Sequence, residues 1–118
     1  MHLPLQTLQK RLPAPASPQY PKGTPFVLGL QSGELTVELF QPACAALGED
    51  IQQPHRQDEL YVAIQGRSRF EHRGVTVEVK AGDVLHVPAG DSHRFVDFSD
   101  DFQVWVMFYG PSLPPEAP

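Results

Sequence analysis

The sequence predicts an all-β fold, a sandwich or small barrel, in one domain of 118 residues. Three observations carry that expectation. From Phe26 onward apolar residues recur with a period of two, the spacing of strands with one buried face. The alternating runs are short and are punctuated by turn residues at about ten-residue spacing, as in sandwiches and barrels. Proline, which removes a ladder donor, crowds the two ends (Pro4, Pro13, Pro15, Pro18, Pro21 and Pro25; Pro111, Pro114, Pro115 and Pro118), and only Pro88 lies between Pro54 and Pro111. The sheet is therefore expected within 26–110.

Taken in order, Leu3, Leu5, Leu8 and Leu12 allow one short amphipathic helix, below the length at which a helix is stable alone. Residues 13–25 (PAPASPQYPKGTP) read as an extended, proline-rich lead-in with no core pattern, which closes an N-terminal extension of 1–25. Leu35, Val37 and Leu39 alternate with Thr36 and Glu38 after the turn signal Gln31-Ser32-Gly33. Leu60, Val62 and Ile64 alternate with Tyr61, Ala63 and Gln65 until Gly66 stops the run. Phe70 leads to a turn at His72-Arg73-Gly74, and Val75, Val77 and Val79 form the next strand. Ala81-Gly82-Asp83 and Pro88-Ala89-Gly90-Asp91 bracket Val84–Val87, and two further strands are expected at Phe95–Phe98 and Phe102–Tyr109. Residues 111–118 read as a flexible, proline-rich tail.

Composition excludes several classes. A net charge of −5 and a pI near 5.4 argue against nucleic-acid and anionic-membrane partners, which demand a basic surface. No stretch approaches the roughly 20 apolar residues of a membrane span. The one cysteine, Cys44, excludes an internal disulfide and a multi-cysteine zinc site, and its loop offers no base beside the thiol. A soluble, cytoplasmic protein is the expectation.

Two turn-flanked segments could carry chemistry: Gln53-Pro54-His55-Arg56-Gln57-Asp58-Glu59, and Gly82 through Asp97. His55, Glu59 and His93 offer two imidazoles and a carboxylate, the ligand set of a facial triad with open positions. These segments resemble the two signature motifs of the cupin superfamily, G-x5-H-x-H-x3,4-E-x6-G and G-x5-P-x-G-x2-H-x3-N. His55, Glu59 and Gly66 fall at the spacing of the first; Gly82, Pro88, Gly90 and His93 fall at that of the second. The resemblance, to a small single-domain cupin, spans about 35–110. It implies a double-stranded β-helix (jelly-roll) barrel with metal ligands pointing into its mouth.

The departures are specific. Gln53 stands where the family has its first histidine, Gly48 lies one residue short of the opening glycine, and Asp97 replaces the closing asparagine. A glutamine amide oxygen can ligate a metal; phosphomannose isomerases, zinc-binding relatives, also open the motif with Gln-x-His. Either Gln53 is a fourth ligand or it points away and leaves three. The resemblance implies a divalent metal cofactor, Fe, Mn, Ni or Zn, and a small-molecule substrate or ligand. The expected activity is dioxygenase-like, or that of an isomerase or epimerase; the alternative is a non-catalytic ligand-binding or sensor cupin.

Tyr61 shares the Glu59 face of its strand and is, with His86, a candidate proton shuttle. His72 reads as a solvated turn residue, Asp97 as a backbone fastener, and Arg67 and Arg69 as surface cations. A homodimer is expected, with Leu35–Phe40 as a free strand edge, an apolar stripe of Leu60, Val62 and Ile64 to be covered, and the proline-rich lead-in packed across the neighbour.

Overall fold

Two antiparallel sheets face one another in the computed structural model, which describes residues 1–114. The strands are β1 Phe26–Ser32, β2 Leu35–Phe40, β3 Asp58–Gln65, β4 Arg67–His72, β5 Val75–Lys80, β6 Val84–Val87, β7 His93–Val96 and β8 Gln103–Tyr109. They form a five-stranded sheet, β1-β2-β8-β3-β6, and a three-stranded sheet, β5-β4-β7. The strand pattern predicts a sandwich or barrel, and the two sheets take the jelly-roll form that the resemblance implies.

The period-two reading decides what lies between the sheets. Glu59, Tyr61 and Ala63 of β3 are buried at alternate positions, and Val104 and Val106 of β8 share that inner face. Phe70, Val79 and Phe95 from the smaller sheet meet them, with Phe40, Val87 and Phe102 completing one core. Gly66 marks the corner where the chain leaves the large sheet for the small one. Its φ is +72°, and a Cβ there would stand 2.6 Å from the Phe102 Cα, so neither conformation nor space admits a side chain.

A second, smaller core lies on the outer face of the large sheet. The short helix α1, Leu5–Gln9, sets fully buried Leu8 against Val27 and Leu39, with Ile64 and Trp105 around them. Five residues cannot hold a helix by propensity, so this apolar contact is what holds it. It also covers the Ile64 end of the predicted apolar stripe.

Two expectations are corrected here. β2 is not a free edge, because β1 pairs with it on one side and β8 on the other. Its predicted exposure failed because the Phe26 strand folds back on it through the Gly33 turn. Nor is the lead-in without a core role: Tyr20 is buried, and the segment closes on its own chain through the Ala14–Thr24 bridge. Of the predicted tail, Leu113 is tied to Arg56, whose guanidinium donates to the Leu113 carbonyl through Nε (3.0 Å) and through Nη2. Residues 115–118 lie outside the described residues. Among the described residues, no helix is long and apolar enough to cross a membrane.

Candidate metal centre

Three elements bring the predicted ligands together. Glu59 is the first inward-facing position of β3, His93 opens β7, and His55 stands on the loop before β3. One backbone and one side-chain hydrogen bond fix that loop against the β6–β7 turn: the Gly90 N–H donates to the His55 carbonyl (2.7 Å), and the Ala89 N–H donates to Asp58 Oδ1 (2.9 Å). The Gln57 amide donates to the Glu34 and Gly110 carbonyls, at 2.7 and 2.9 Å.

Potential ligand atoms of His55, Glu59 and His93 all lie within 4.8 Å of one another. His93 Nε2 stands 2.8 Å from Glu59 Oε1, and His55 Nε2 stands 3.8 Å from Glu59 Oε2. Glu59 is 1% exposed, yet both its oxygens are buried without a hydrogen-bond partner, the close approach of His93 being an ion-pair contact rather than an aligned hydrogen bond. His93 Nδ1 donates to the Asp91 carbonyl (2.9 Å), because a carbonyl can only accept. The Nε2 facing Glu59 must then carry a proton or a metal ion; otherwise two sets of lone pairs would face each other in a buried site. The donor set therefore fits a divalent cation.

Burial lowers the His55 value below that of a free imidazole, opposed by Glu59, which favours the neutral form a ligand needs. For His93, burial also pulls downward but is outweighed by Glu59 and the Asp91 carbonyl, so the net shift is upward. Asp91 is held in turn by His72 Nε2 (2.7 Å) and Arg73 Nε (2.8 Å). His72 is thus not a solvated turn residue; it braces the turn that aims His93.

The structure places the other candidates less evenly. Tyr61 is 1% exposed, and its hydroxyl lies 3.0 Å from His93 Nε2 and donates to Gln52 Oε1 (2.9 Å). Burial, then Glu59, pushes the phenol well above its ordinary value, so it keeps its proton. His86 is exposed: it pairs with Leu60 on the outer face of the sheet, while Leu85 and Val87 take the inward positions of β6. It is removed from the centre, and its shuttle role is corrected. Gln53 is exposed, and the glutamine at the centre is Gln52, one residue earlier.

A buried acid that sequence reasoning overlooked makes that exchange. Asp50 Oδ1 accepts from the Gln52 N–H (3.2 Å), and Oδ2 accepts from the Gln52 amide nitrogen (2.6 Å) and the Phe95 N–H (2.9 Å). Burial still raises the Asp50 carboxyl above its usual value. With the amide nitrogen committed to Asp50, Gln52 Oε1 is the end turned to the centre, 3.4 Å from His55 Nε2. Gln53, which precedes Pro54 and is thereby biased away from the helical conformation, has its side chain exposed.

A cavity of about 260 Å³ opens above these residues, walled by Tyr20, Phe26, Phe40 and Phe108, with Glu38 on its β2 side. A wider hollow of about 670 Å³, on the far side of His93 beside Asp91 and Arg94, is open to solvent. Asp97 sits at a φ of +52° and faces Arg69 at 3.6 Å, both exposed, as a turn residue would.

A model of the cupin domain (Cupin_2) matches residues 44–109. The uncharacterized protein SCO3923 of Streptomyces coelicolor is 42% identical over 68 residues, 58% of this chain and 61% of that relative, so the match spans under two thirds of its length. Among solved structures, a Cupin 2 conserved barrel domain protein from Salinispora arenicola CNS-205 aligns at TM-score 0.60 and 18% identity, covering 93% of this chain and 89% of its own. KdgF from Halomonas sp. aligns at TM-score 0.56 and 19% identity, covering 70% and 74%. At such identities the structural likeness carries the fold.

Proposed function

The chain belongs to the cupin family, and we propose that this member holds a divalent metal ion and acts on a small molecule in the mouth of its barrel. The observation that carries the proposal is Glu59, whose two buried oxygens lack hydrogen bonds and face the Nε2 atoms of His55 and His93. His55 Nε2, His93 Nε2 and a Glu59 oxygen would hold the ion, with Gln52 Oε1 as fourth donor. A bound divalent ion supplies Lewis acidity and a template for a bidentate oxygen ligand.

The chain's own residues supply the rest. Asp50 fixes the face of the Gln52 amide, and Asp91 fixes the His93 tautomer. Tyr61 holds a proton at Oη beside Gln52 Oε1 and His93 Nε2 and can lend it to an oxygen that gains charge there. The aromatic wall limits water around the reacting atoms. Two imidazoles with one carboxylate is the donor set of oxygen-activating iron sites, so an oxygenase is favoured over an isomerase or epimerase.

Elemental analysis of protein purified without chelator, beside H93A, tests the proposal. Near-stoichiometric Fe, Mn, Ni or Zn, lost in the variant, supports it; retention in H93A refutes the site. A second reading, a ligand-binding cupin without turnover, is favoured by the apolar wall, which needs no metal to form. Absence of metal after reconstitution would leave that reading. We propose a homodimer too, the partner covering the outer face of the large sheet where Val84, 59% exposed, stands beside Val62. Light scattering at 13.1 kDa rather than twice that mass would refute it.

A further inference from the structure

The cavity has a chemical bias that the metal ligands do not explain. Four aromatic rings form its side: Tyr20 meets Phe26 edge-on at 6.1 Å between centroids, and Phe108 packs on His55 at 4.5 Å. Opposite the ligands stands Glu38. Its strand position pairs with Val106, which pairs with Tyr61, so Glu38 lies in the Tyr61 row two strands away. Two strand spacings separate the two backbones by about 10 Å, and both Glu38 and the ligand end line the same cavity. Glu38 accepts no hydrogen bond from the described residues and is half-buried among apolar neighbours, an acceptor open to a guest.

The positive charges are elsewhere. No lysine or arginine lines the cavity. Arg56 is spent on the Leu113 carbonyl, Arg69 faces Asp97, Arg73 faces Asp91, and Arg94 faces Glu71. Away from the ligand end, where His93 and the ion stand against Glu59, a carboxylate or phosphate entering this space would meet Glu38 and no lysine or arginine in a partly desolvated pocket, where like charges repel most strongly. About 260 Å³ admits a single ring with a short substituent.

We propose that the cavity selects a small uncharged molecule with an apolar, ring-sized body and a hydroxyl or amide N–H donor that meets Glu38, and that it rejects carboxylates and phosphates. The proposal deepens the metal reading and rests on it for the anchor at the ligand end of the cavity. The selection itself comes from Glu38 and the aromatic wall.

The test compares benzyl alcohol, benzoate and inorganic phosphate as probes, by protein-observed NMR on the full chain, loaded with zinc and again after chelation. The expected result is benzyl alcohol binding at least about tenfold tighter than benzoate, with no saturable phosphate binding. E38Q, checked by thermal melting to be folded, is expected to raise benzoate affinity about tenfold and to leave benzyl alcohol within about threefold. Benzoate or phosphate equal to the alcohol in the wild type overturns the proposal, as does no gain in E38Q or no binding of benzyl alcohol at millimolar concentration. If zinc does not bind but the preference holds in the chelated protein, the metal reading fails and the selection stands. If zinc binds and benzoate wins, the selection alone fails.

Discussion

Glu59 to glutamine tests the centre without relying on activity. The substitution keeps the side-chain shape and removes the charge from a residue 1% exposed. In metal-free protein both Glu59 oxygens lack hydrogen bonds, and an unsatisfied buried polar group costs about 1–3 kcal/mol. An amide at this position can donate to neutral His93 Nε2, now 2.8 Å from Oε1. The sign depends on pH. The His93 value is raised in the fold above 6.5, so its contribution to stability is complete below that value and is lost as pH rises through the raised one. His55, lowered in the fold, costs stability as pH falls, and Glu59 relieves that cost. E59Q is therefore expected to destabilise metal-free protein at acid pH and to stabilise it by about 1–3 kcal/mol at pH values above the His93 titration.

Metal reverses the comparison. An ion at a hundred times its dissociation constant stabilises the wild type by about 2.7 kcal/mol, roughly 10–15 °C in Tm for a domain of this size. E59Q is expected to lose that shift. Melting curves of both proteins at two pH values, with and without zinc, give eight midpoints and so four differences between variant and wild type. An E59Q protein less stable than the wild type at high pH, with its zinc shift intact, would refute the reasoning.

Other outcomes are expected from single substitutions. Q52A lowers metal affinity about 10–100-fold while Q53A changes it less than about twofold, read by competition with a chromophoric chelator; equal effects would return the fourth donor to Gln53. L8A empties the small core over Val27 and Leu39 and costs about 2–5 kcal/mol in urea unfolding, with zinc stoichiometry unchanged. G66A, at φ +72° with Phe102 Cα 2.6 Å from the added carbon, costs about 3 kcal/mol or more, and a near-neutral result would contradict the corner geometry.

How much of this was legible in the sequence follows from the range of each interaction. Alternation placed Glu59 and Tyr61 on one face because a strand's period is local, and the same rule puts His86 outward once Leu85 and Val87 are seen to be in the core. Motif spacing brought His55 and His93 together. It misplaced the glutamine, because the choice between Gln52 and Gln53 is made by Asp50, itself held by the Phe95 N–H across 45 positions of chain. The pairing of β2 with β1 required knowing that Phe26–Ser32 is a strand, in a stretch that carries Gly29 and a bulge. Tyr20 was hidden in a proline-rich segment whose period signals nothing; its burial comes from closure against the sheet edge.

That closure has an evolutionary consequence. Residues 14–24 form a loop tied at its neck by Ala14 and Thr24 and within by Ser17 and Tyr20, which exchange backbone hydrogen bonds of 3.1 and 3.0 Å. The loop contributes a wall of the cavity but no strand of either sheet and none of the metal-facing groups. Its residues can therefore be exchanged without shifting a strand register or moving His55, Glu59 or His93. Recognition and chemistry are written in separable stretches of the gene. A library randomised at the side chains around Tyr20, or a loop transplanted from another barrel, would vary what enters while leaving what happens inside untouched.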